Sequence, residues 1–79
     1  MRSDLRAAFG IRVRELRQER ELSQEELAER ADLHRNYVGG IERGERNVGL
    51  INVGKLANAL DVSVAELFAT FTQKSGRRR

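Results

Sequence analysis

Residues 23–47 read SQEELAERADLHRNYVGGIERGERN, and this stretch decides the fold. Ser23 and Glu26 form a capping box, because a serine three positions before a glutamate satisfies free amides at the start of a helix. The pattern predicts a short helix that begins after Ser23 and breaks at Asp32. Another short helix follows to about Arg43 and ends before a glycine suited to positive φ. The stretch therefore predicts two short helices joined by a tight turn.

Apolar residues recur at helical spacing on both sides of this stretch. A first helix is predicted from about Ser3 or Asp4 to about Arg20, with the inner stripe Leu5, Ala8, Phe9, Val13 and Leu16. After a loop at residues 45–49, the stripe of a fourth helix is Leu50, Val53, Leu56, Ala57 and Leu60. A second capping box, formed by Ser63 and Glu66, opens a fifth helix. The apolar stripe of this helix is Val64, Leu67, Phe68 and Phe71. No segment alternates like a strand, so we expect an all-α bundle of five helices.

Composition excludes several classes of protein. The chain has 79 residues, no cysteine, no proline and one histidine, which argues against a disulfide-stabilised secreted protein and a Cys/His zinc site. No run approaches the roughly 18 apolar residues of a membrane helix, and the N-terminus lacks the apolar region of a signal peptide. No nucleophile or acid–base pair is evident, so no enzyme is expected. We expect a cytoplasmic protein without a metal, a cofactor or a small-molecule ligand.

The charge of the chain is unevenly placed. The net charge of +3 arises at the C-terminus, because residues 74–79 add +4 to a remainder of −1. Residues 11–47 carry 17 charged side chains in 37 positions, whereas residues 48–71 carry three in 24. We therefore expect residues 1–72 to form one domain with a polar and an apolar contact surface, and residues 73–79 to form a basic, disordered tail.

The third helix is predicted to expose polar side chains and two glycines. With Val38 as the inward direction and about 100° per residue, the inner side also carries Ile41, His34 and Glu42. The outer side carries Asn36, Gly39, Gly40 and Arg43. An interior glycine costs a helix about 1 kcal/mol relative to alanine, so two of them indicate a close approach to another backbone, with DNA as one candidate. Two short helices in this arrangement place the second in a major groove.

The run from Ser23 to Asn47 resembles the helix-turn-helix of the lambda repressor and Cro family. Its part NYVGGIERGERN, at residues 36–47, is most similar to the controller proteins of restriction-modification systems. The resemblance extends from about Leu5 to Phe71 and implies a compact five-helix fold in which helices 2 and 3 form the motif. Asp32 replaces the usual glycine of the turn, which is tolerable because aspartate visits left-handed backbone conformations. A proline often found before the fourth helix is absent.

The resemblance implies a role for most polar positions of the motif. The residues that read bases are then Arg35, Asn36, Tyr37 and Arg46. Arginine can donate twice to guanine, asparagine can bind adenine, and tyrosine can contact a thymine methyl or a phosphate. The residues that hold phosphates are then Ser23, Gln24, His34, Gly39, Arg43 and Asn47. Arg17 and Glu42 match a structural ion pair. Interpreted on their own, Ser23 is a helix cap and His34 is a cap or a phosphate neighbour.

The excess of apolar residues after position 47 predicts an interface between two copies of the chain. Its expected members are Val48, Ile51, Val62, Val64, Phe68 and Phe71. A two-fold dimer would hold two recognition helices about 34 Å apart, which matches the half-sites of a palindrome.

The expected function is therefore a sequence-specific, double-stranded DNA-binding transcription regulator of bacterial or phage origin, acting as a homodimer. The controller resemblance implies control of its own operon and of a neighbouring endonuclease gene, with RNA polymerase as a further candidate partner. A phage-type repressor or Cro is the first alternative. The second alternative is an antitoxin or protein-interaction module that uses helices 4 and 5.

Overall fold

The computed structural model describes residues 2–69, with side chains from residue 5 onward. Five helices follow one another along the chain: α1 (Arg2–Glu19), α2 (Gln24–Ala31), α3 (Arg35–Glu42), α4 (Leu50–Ala59) and α5 (Val64–Leu67). These residues contain no strand, and the all-α prediction is confirmed. In this part of the chain no helix has the length and apolarity needed to cross a membrane. The predicted basic tail at residues 73–79 and the predicted interface residue Phe71 lie outside the described residues.

Hydrogen bonds at the helix starts explain why these segments are helical. Ser23 Oγ accepts from the Glu26 amide at 3.0 Å, and Glu26 Oε1 accepts from the Ser23 amide at 2.8 Å, so the first predicted capping box is present. These bonds lower the pKa of the Glu26 carboxyl. At α5, Ser63 Oγ accepts from the Glu66 amide at 2.9 Å, whereas the exposed Glu66 side chain does not complete the second predicted box.

Residues in the left-handed conformation end α2 and α3. Asp32 has φ 57° and ψ 48°, and its amide donates to the carbonyls of the last turn of α2. Gly44 has φ 77° and follows α3, where an added Cβ would lie 3.0 Å from the Cα atom of Ala7. Both positions agree with the sequence-based expectation, since aspartate and glycine enter this backbone region more readily than most residues.

The core is aliphatic and draws on all five helices. Its buried members are Phe9, Val13, Leu16, Leu27, Ala28, Ala31, Val38, Ile41, Val53, Leu56, Ala57, Leu60 and Leu67. The residues that open the stripes of α1 and α4 are not among them, because Leu5 is 57% exposed and Leu50 is 80% exposed. Each lies about one turn before the first buried residue of its helix. Helical spacing gives the direction of a side chain around the axis, but not where the neighbouring helices end along it.

α1 and α3 approach each other closely at Gly10. A Cβ atom there would lie 2.3 Å from the Ile41 carbonyl oxygen and 2.8 Å from that of Glu42. We expect Gly10→Ala to lower the free energy of unfolding by about 1–3 kcal/mol, because both oxygens belong to the backbone and α1 must shift. Gly54→Ala is the matched control, since its helical position has open space and alanine should stabilise it by up to about 1 kcal/mol. Urea denaturation measures both, and equal stability of the two variants would contradict the close approach.

Candidate nucleic-acid interface

α3 is attached to the core by one side and presents its first turn to solvent. Val38 and Ile41 are buried and hold the helix against its neighbours. Arg35 and Asn36, its first two residues, are exposed. Their side chains form no hydrogen bond with other residues in the range 2–69. The two side chains can therefore contact another molecule without first breaking a bond within the protein.

His34 caps α3 from outside the helix. Its Nδ1 atom accepts from the Asn36 amide at 3.4 Å, and the residue is exposed. Its predicted place on the inner side of the helix is wrong, because a cap residue has extended backbone, here φ −78° and ψ 140°, and does not follow the helical rotation. The cap interpretation made for Ser23 also matches the hydrogen bonds of the structure.

The two glycines of α3 are buried, although they lie on the predicted outer side of the helix, because other side chains cover them. Gly39 is covered by Gln24 and Arg43, whose Oε1 and Nη1 atoms would lie 3.5 and 3.2 Å from an added Cβ. Arg46 covers Gly40 in the same way, with its Nε atom 3.0 Å from the added Cβ. The close approach is made by long side chains of the same chain, so Gly39 is no longer a candidate for phosphate contact.

Tyr37 lies half-buried between two other side chains. Its hydroxyl oxygen accepts from Asn52 Nδ2 in α4 at 3.1 Å. The guanidinium of Arg46 lies over its ring, with Cζ 5.7 Å from the centroid. Two of the four residues predicted to read bases therefore contact each other, and the exposed Asn47 follows them in the loop. The role of Asn52 has no signal in the sequence, because nothing local marks a contact between residues 15 positions apart.

A charged network lies beneath this surface. Arg17 donates to Glu42 from Nε at 2.7 Å and from Nη2 at 3.0 Å, so the structure brings these two residues together. Arg17 Nη1 also donates to the Leu22 carbonyl at 2.8 Å. Gln24, predicted only as a phosphate contact, donates from Nε2 to Glu42 Oε1 at 3.0 Å. The network fixes the start of α2 against the end of α3, and it places Gln24 beside the exposed side of the motif.

Arg43 is paired with a carboxylate that the sequence analysis did not single out. Its Nε and Nη2 atoms donate to Glu45 at 3.0 and 3.3 Å. These hydrogen bonds, together with the attraction of opposite charges, lower the pKa of Glu45 and raise that of Arg43. Both side chains are more than half exposed, so the pair adds little to stability. The Glu45 carboxylate therefore competes with any phosphate for the Nε and Nη2 donors of Arg43.

Three residues predicted for the dimer interface are partly buried against the core. Val48, Val62 and Phe68 pack against the buried cluster and are only half-exposed. Phe68 stacks on Phe9 with the ring centroids 5.3 Å apart. The small core therefore accommodates more of the apolar residues after position 47 than the sequence analysis assumed.

Three large apolar side chains of α4 and α5 remain exposed to solvent. Ile51 is 75% exposed and Val64 is 44% exposed, and both were predicted for the interface. Leu50 was predicted for the core, but it is the most exposed of the large apolar residues described. We refer to Leu50, Ile51 and Val64 as the apolar face. It lies on α4 and α5.

Arg12 holds α5 in place. Its Nε atom donates to the Leu67 carbonyl at 3.2 Å, and its Nη2 atom donates to the Glu66 carbonyl at 2.8 Å. Carbonyl groups at the end of a helix lack hydrogen-bond donors within the helix, and this guanidinium donates to two of these carbonyls. The contact shows how a helix of four residues can keep Val64 in a defined position.

Comparison with known proteins extends over most of the chain. Residues 13–67 match the helix-turn-helix family. The control protein C.MunI of a Mycoplasma species is 41% identical over 68 residues, which are 85% of this chain and 92% of that protein. The structure of the restriction-modification controller protein C.AhdI from Aeromonas hydrophila is 57% identical, with a TM-score of 0.78, and the match covers 80% of this chain and 96% of that one.

A further solved structure is that of the controller protein C.Esp1396I as a tetramer in complex with its natural 35 base-pair operator. It is 29% identical, with a TM-score of 0.81, and the match covers 87% of this chain and 91% of that one. These matches confirm the resemblance that rests on residues 23–47. The chain belongs to the helix-turn-helix family of DNA-binding transcription regulators and, within it, to the restriction-modification control proteins.

Proposed function

We propose that the protein binds palindromic operators in double-stranded DNA as a homodimer and reads them with α3. The exposed first turn of α3 carries this proposal. Arg35 and Asn36 are the side-chain types suited to guanine and adenine edges, and they are not engaged by other residues in the described part of the chain. Residues 1–72 would serve as a single domain for both DNA binding and dimerisation.

The contacts to DNA divide into two groups. We assign base contacts to Arg35, Asn36, Arg46 and the aromatic ring of Tyr37. We assign phosphate contacts to Ser23, Gln24, His34, Arg43 and Asn47. The starts of α2 and α3 support the second group, because amides at a helix N-terminus attract phosphate oxygens. Phosphate contacts fix the register of the protein on the duplex, and base contacts select the sequence.

Dimerisation through the apolar face accounts for the exposed side chains of α4 and α5. Apolar side chains exposed together on a small domain mark an interface. The related C.Esp1396I binds its operator as a tetramer, which supports the use of more than one copy. A two-fold axis at this face would place two copies of α3 about one helical turn of DNA apart, roughly 34 Å.

The regulatory role follows from the family. We propose that the protein acts in the cytoplasm on the operon that encodes it and on a neighbouring endonuclease gene, as a restriction-modification control protein. RNA polymerase is a proposed partner in that role. Regulation would then depend on where the dimer lies relative to the promoter.

Selection of bound duplexes from a random pool should return a symmetric site. On that site, Arg35→Ala is expected to weaken binding by about 1–3 kcal/mol and to relax the preference at one base pair of each half-site. Arg43→Ala should weaken all sequences alike and reduce the salt slope of log K by about 1 per half-site. Fluorescence anisotropy with single-base operator variants measures both effects. An unchanged base preference in Arg35→Ala would contradict the assignment of the reading residues.

A further inference from the structure

Asn52, on the first turn of α4, contacts a residue to which the proposed function assigns a DNA contact. Its Nδ2 atom donates to the hydroxyl oxygen of Tyr37 at 3.1 Å. Both residues are half-buried, and Tyr37 packs against the core. The bond is therefore sheltered from competing water and links the recognition helix to α4.

The direction of this hydrogen bond determines what the Tyr37 hydroxyl can do next. An amide nitrogen only donates, so the phenolic oxygen is the acceptor and its own proton remains available. No second hydrogen bond of this hydroxyl is found in the described range of residues. A further partner of the O–H group must be an acceptor. Phosphate oxygens are acceptors only, and their charge strengthens such a bond.

The position of the hydroxyl favours a phosphate over a base edge. Because it is bonded to Asn52, the hydroxyl lies beside α4 and not at the exposed first turn of α3. In the proposed complex α3 occupies the groove, so we expect a group beside α3 and on the side of α4 to face the sugar-phosphate backbone that borders the groove. Arg46, over the Tyr37 ring, adds a positive charge next to the same point.

We propose that Asn52 is a positioning residue that presents the Tyr37 hydroxyl as a donor to one phosphate in each half-site. The inference rests on the proposed function and adds a residue of α4 to the DNA-binding machinery. Asn52 acts through Tyr37 and does not itself touch DNA. Because phosphates are the same at every base pair, the contact contributes affinity and not base preference.

A double-mutant cycle tests this role. Asn52→Ala is expected to weaken binding to the selected operator and to a scrambled duplex by the same factor, about fivefold per half-site, and Tyr37→Phe should do the same. In the Tyr37→Phe background, Asn52→Ala should change affinity by less than about twofold, because the hydroxyl that it orients is gone. Asn52→Asp should lose more affinity than Asn52→Ala, since a carboxylate accepts the hydrogen bond of the phenolic O–H group and repels phosphate.

Two controls separate this role from a general effect on folding. Asn58→Ala removes an exposed asparagine from the same helix and should alter neither affinity nor the environment of Tyr37. The chain has one tyrosine and no tryptophan, so its intrinsic emission reports on Tyr37 alone. The emission of the free protein should change in Asn52→Ala and stay constant in Asn58→Ala. Because Leu50 and Ile51 adjoin Asn52, the dimer mass is measured for each variant.

If Asn52→Ala lowered the affinity equally in the unaltered chain and in Tyr37→Phe, the proposal would be overturned, because Asn52 would then act without the Tyr37 hydroxyl. An unchanged affinity would overturn it as well. A loss confined to one base pair would assign the hydroxyl to a base acceptor and exclude the phosphate. The proposed function is judged separately, by the symmetric site that the unaltered chain selects, and a chain without DNA affinity would overturn both.

Discussion

Glu42→Ala is expected to lower the free energy of unfolding by about 3–5 kcal/mol, because it leaves a sheltered charge without its partner. Arg17 donates twice to this carboxylate, at 2.7 and 3.0 Å, and Gln24 donates once, at 3.0 Å. The side chain of Glu42 is 3% exposed and that of Arg17 is 12% exposed, so water has little access to replace the lost bonds. Small domains have only about 5–15 kcal/mol of stability, and the loss should be evident as a large shift of the unfolding midpoint.

Glu45→Ala is the matched control for Glu42→Ala. It removes the same group from an exposed ion pair, and we expect a change within about 1 kcal/mol. Replacing both members of the buried pair, by Arg17→Met with Glu42→Leu, should recover most of the loss. Urea denaturation followed by circular dichroism measures all of these variants at one chain concentration, because dimerisation makes apparent stability concentration-dependent. Similar free energies of unfolding for Glu42→Ala and Glu45→Ala would show that solvent reaches the hydrogen bonds between Arg17 and Glu42.

Local signals in the sequence were sufficient for the first capping box and for the ends of α2 and α3. The pair Ser23 and Glu26 acts within one turn, and its capping box forms as predicted. Asp32 and Gly44 end α2 and α3 because of their own backbone preferences. These features depend on neighbours in the chain, so they can be deduced without knowledge of the tertiary structure.

The errors arose where distant segments meet. Leu50 has the spacing of a core residue, but no helix within residues 2–69 covers it. Gly39 points away from the core and is nevertheless buried, because the side chains of Gln24 and Arg43 fold over it. Neither effect leaves a trace in helical periodicity, which records only the angle of a side chain around its own axis.

The candidate site shows the same division. The resemblance to known regulators indicated which residues to consider, and the structure leaves Arg35 exposed as such a role requires. The structure added the partners that modulate the site: Asn52 at the hydroxyl of Tyr37 and Glu45 at the guanidinium of Arg43. Hydrogen bonds between side chains depend on tertiary positions accurate to tenths of an ångström, and sequence spacing does not supply these.

Ile51→Asp is expected to produce a monomer and to weaken operator binding by about 10²- to 10⁴-fold. Ile51 and Leu50 are 75% and 80% exposed on α4, at the proposed contact between two copies. An aspartate there would be buried between two apolar surfaces without a partner, which opposes association. A monomer engages one half-site at a time and loses the gain that comes from linking two recognition helices.

Ile11→Asp provides the control, since Ile11 is 56% exposed on α1 and lies outside the apolar face. It introduces the same charge and should leave the dimer intact. Light scattering gives the mass of each variant, and anisotropy compares full operators with isolated half-sites. The half-site affinity of Ile51→Asp should fall far less than its affinity for the full operator, because Arg35 and Asn36 remain exposed on α3. A dimer that persisted in Ile51→Asp would place the two-fold axis away from α4. A monomeric Ile51→Asp with full operator affinity would show that operator binding does not depend on dimerisation.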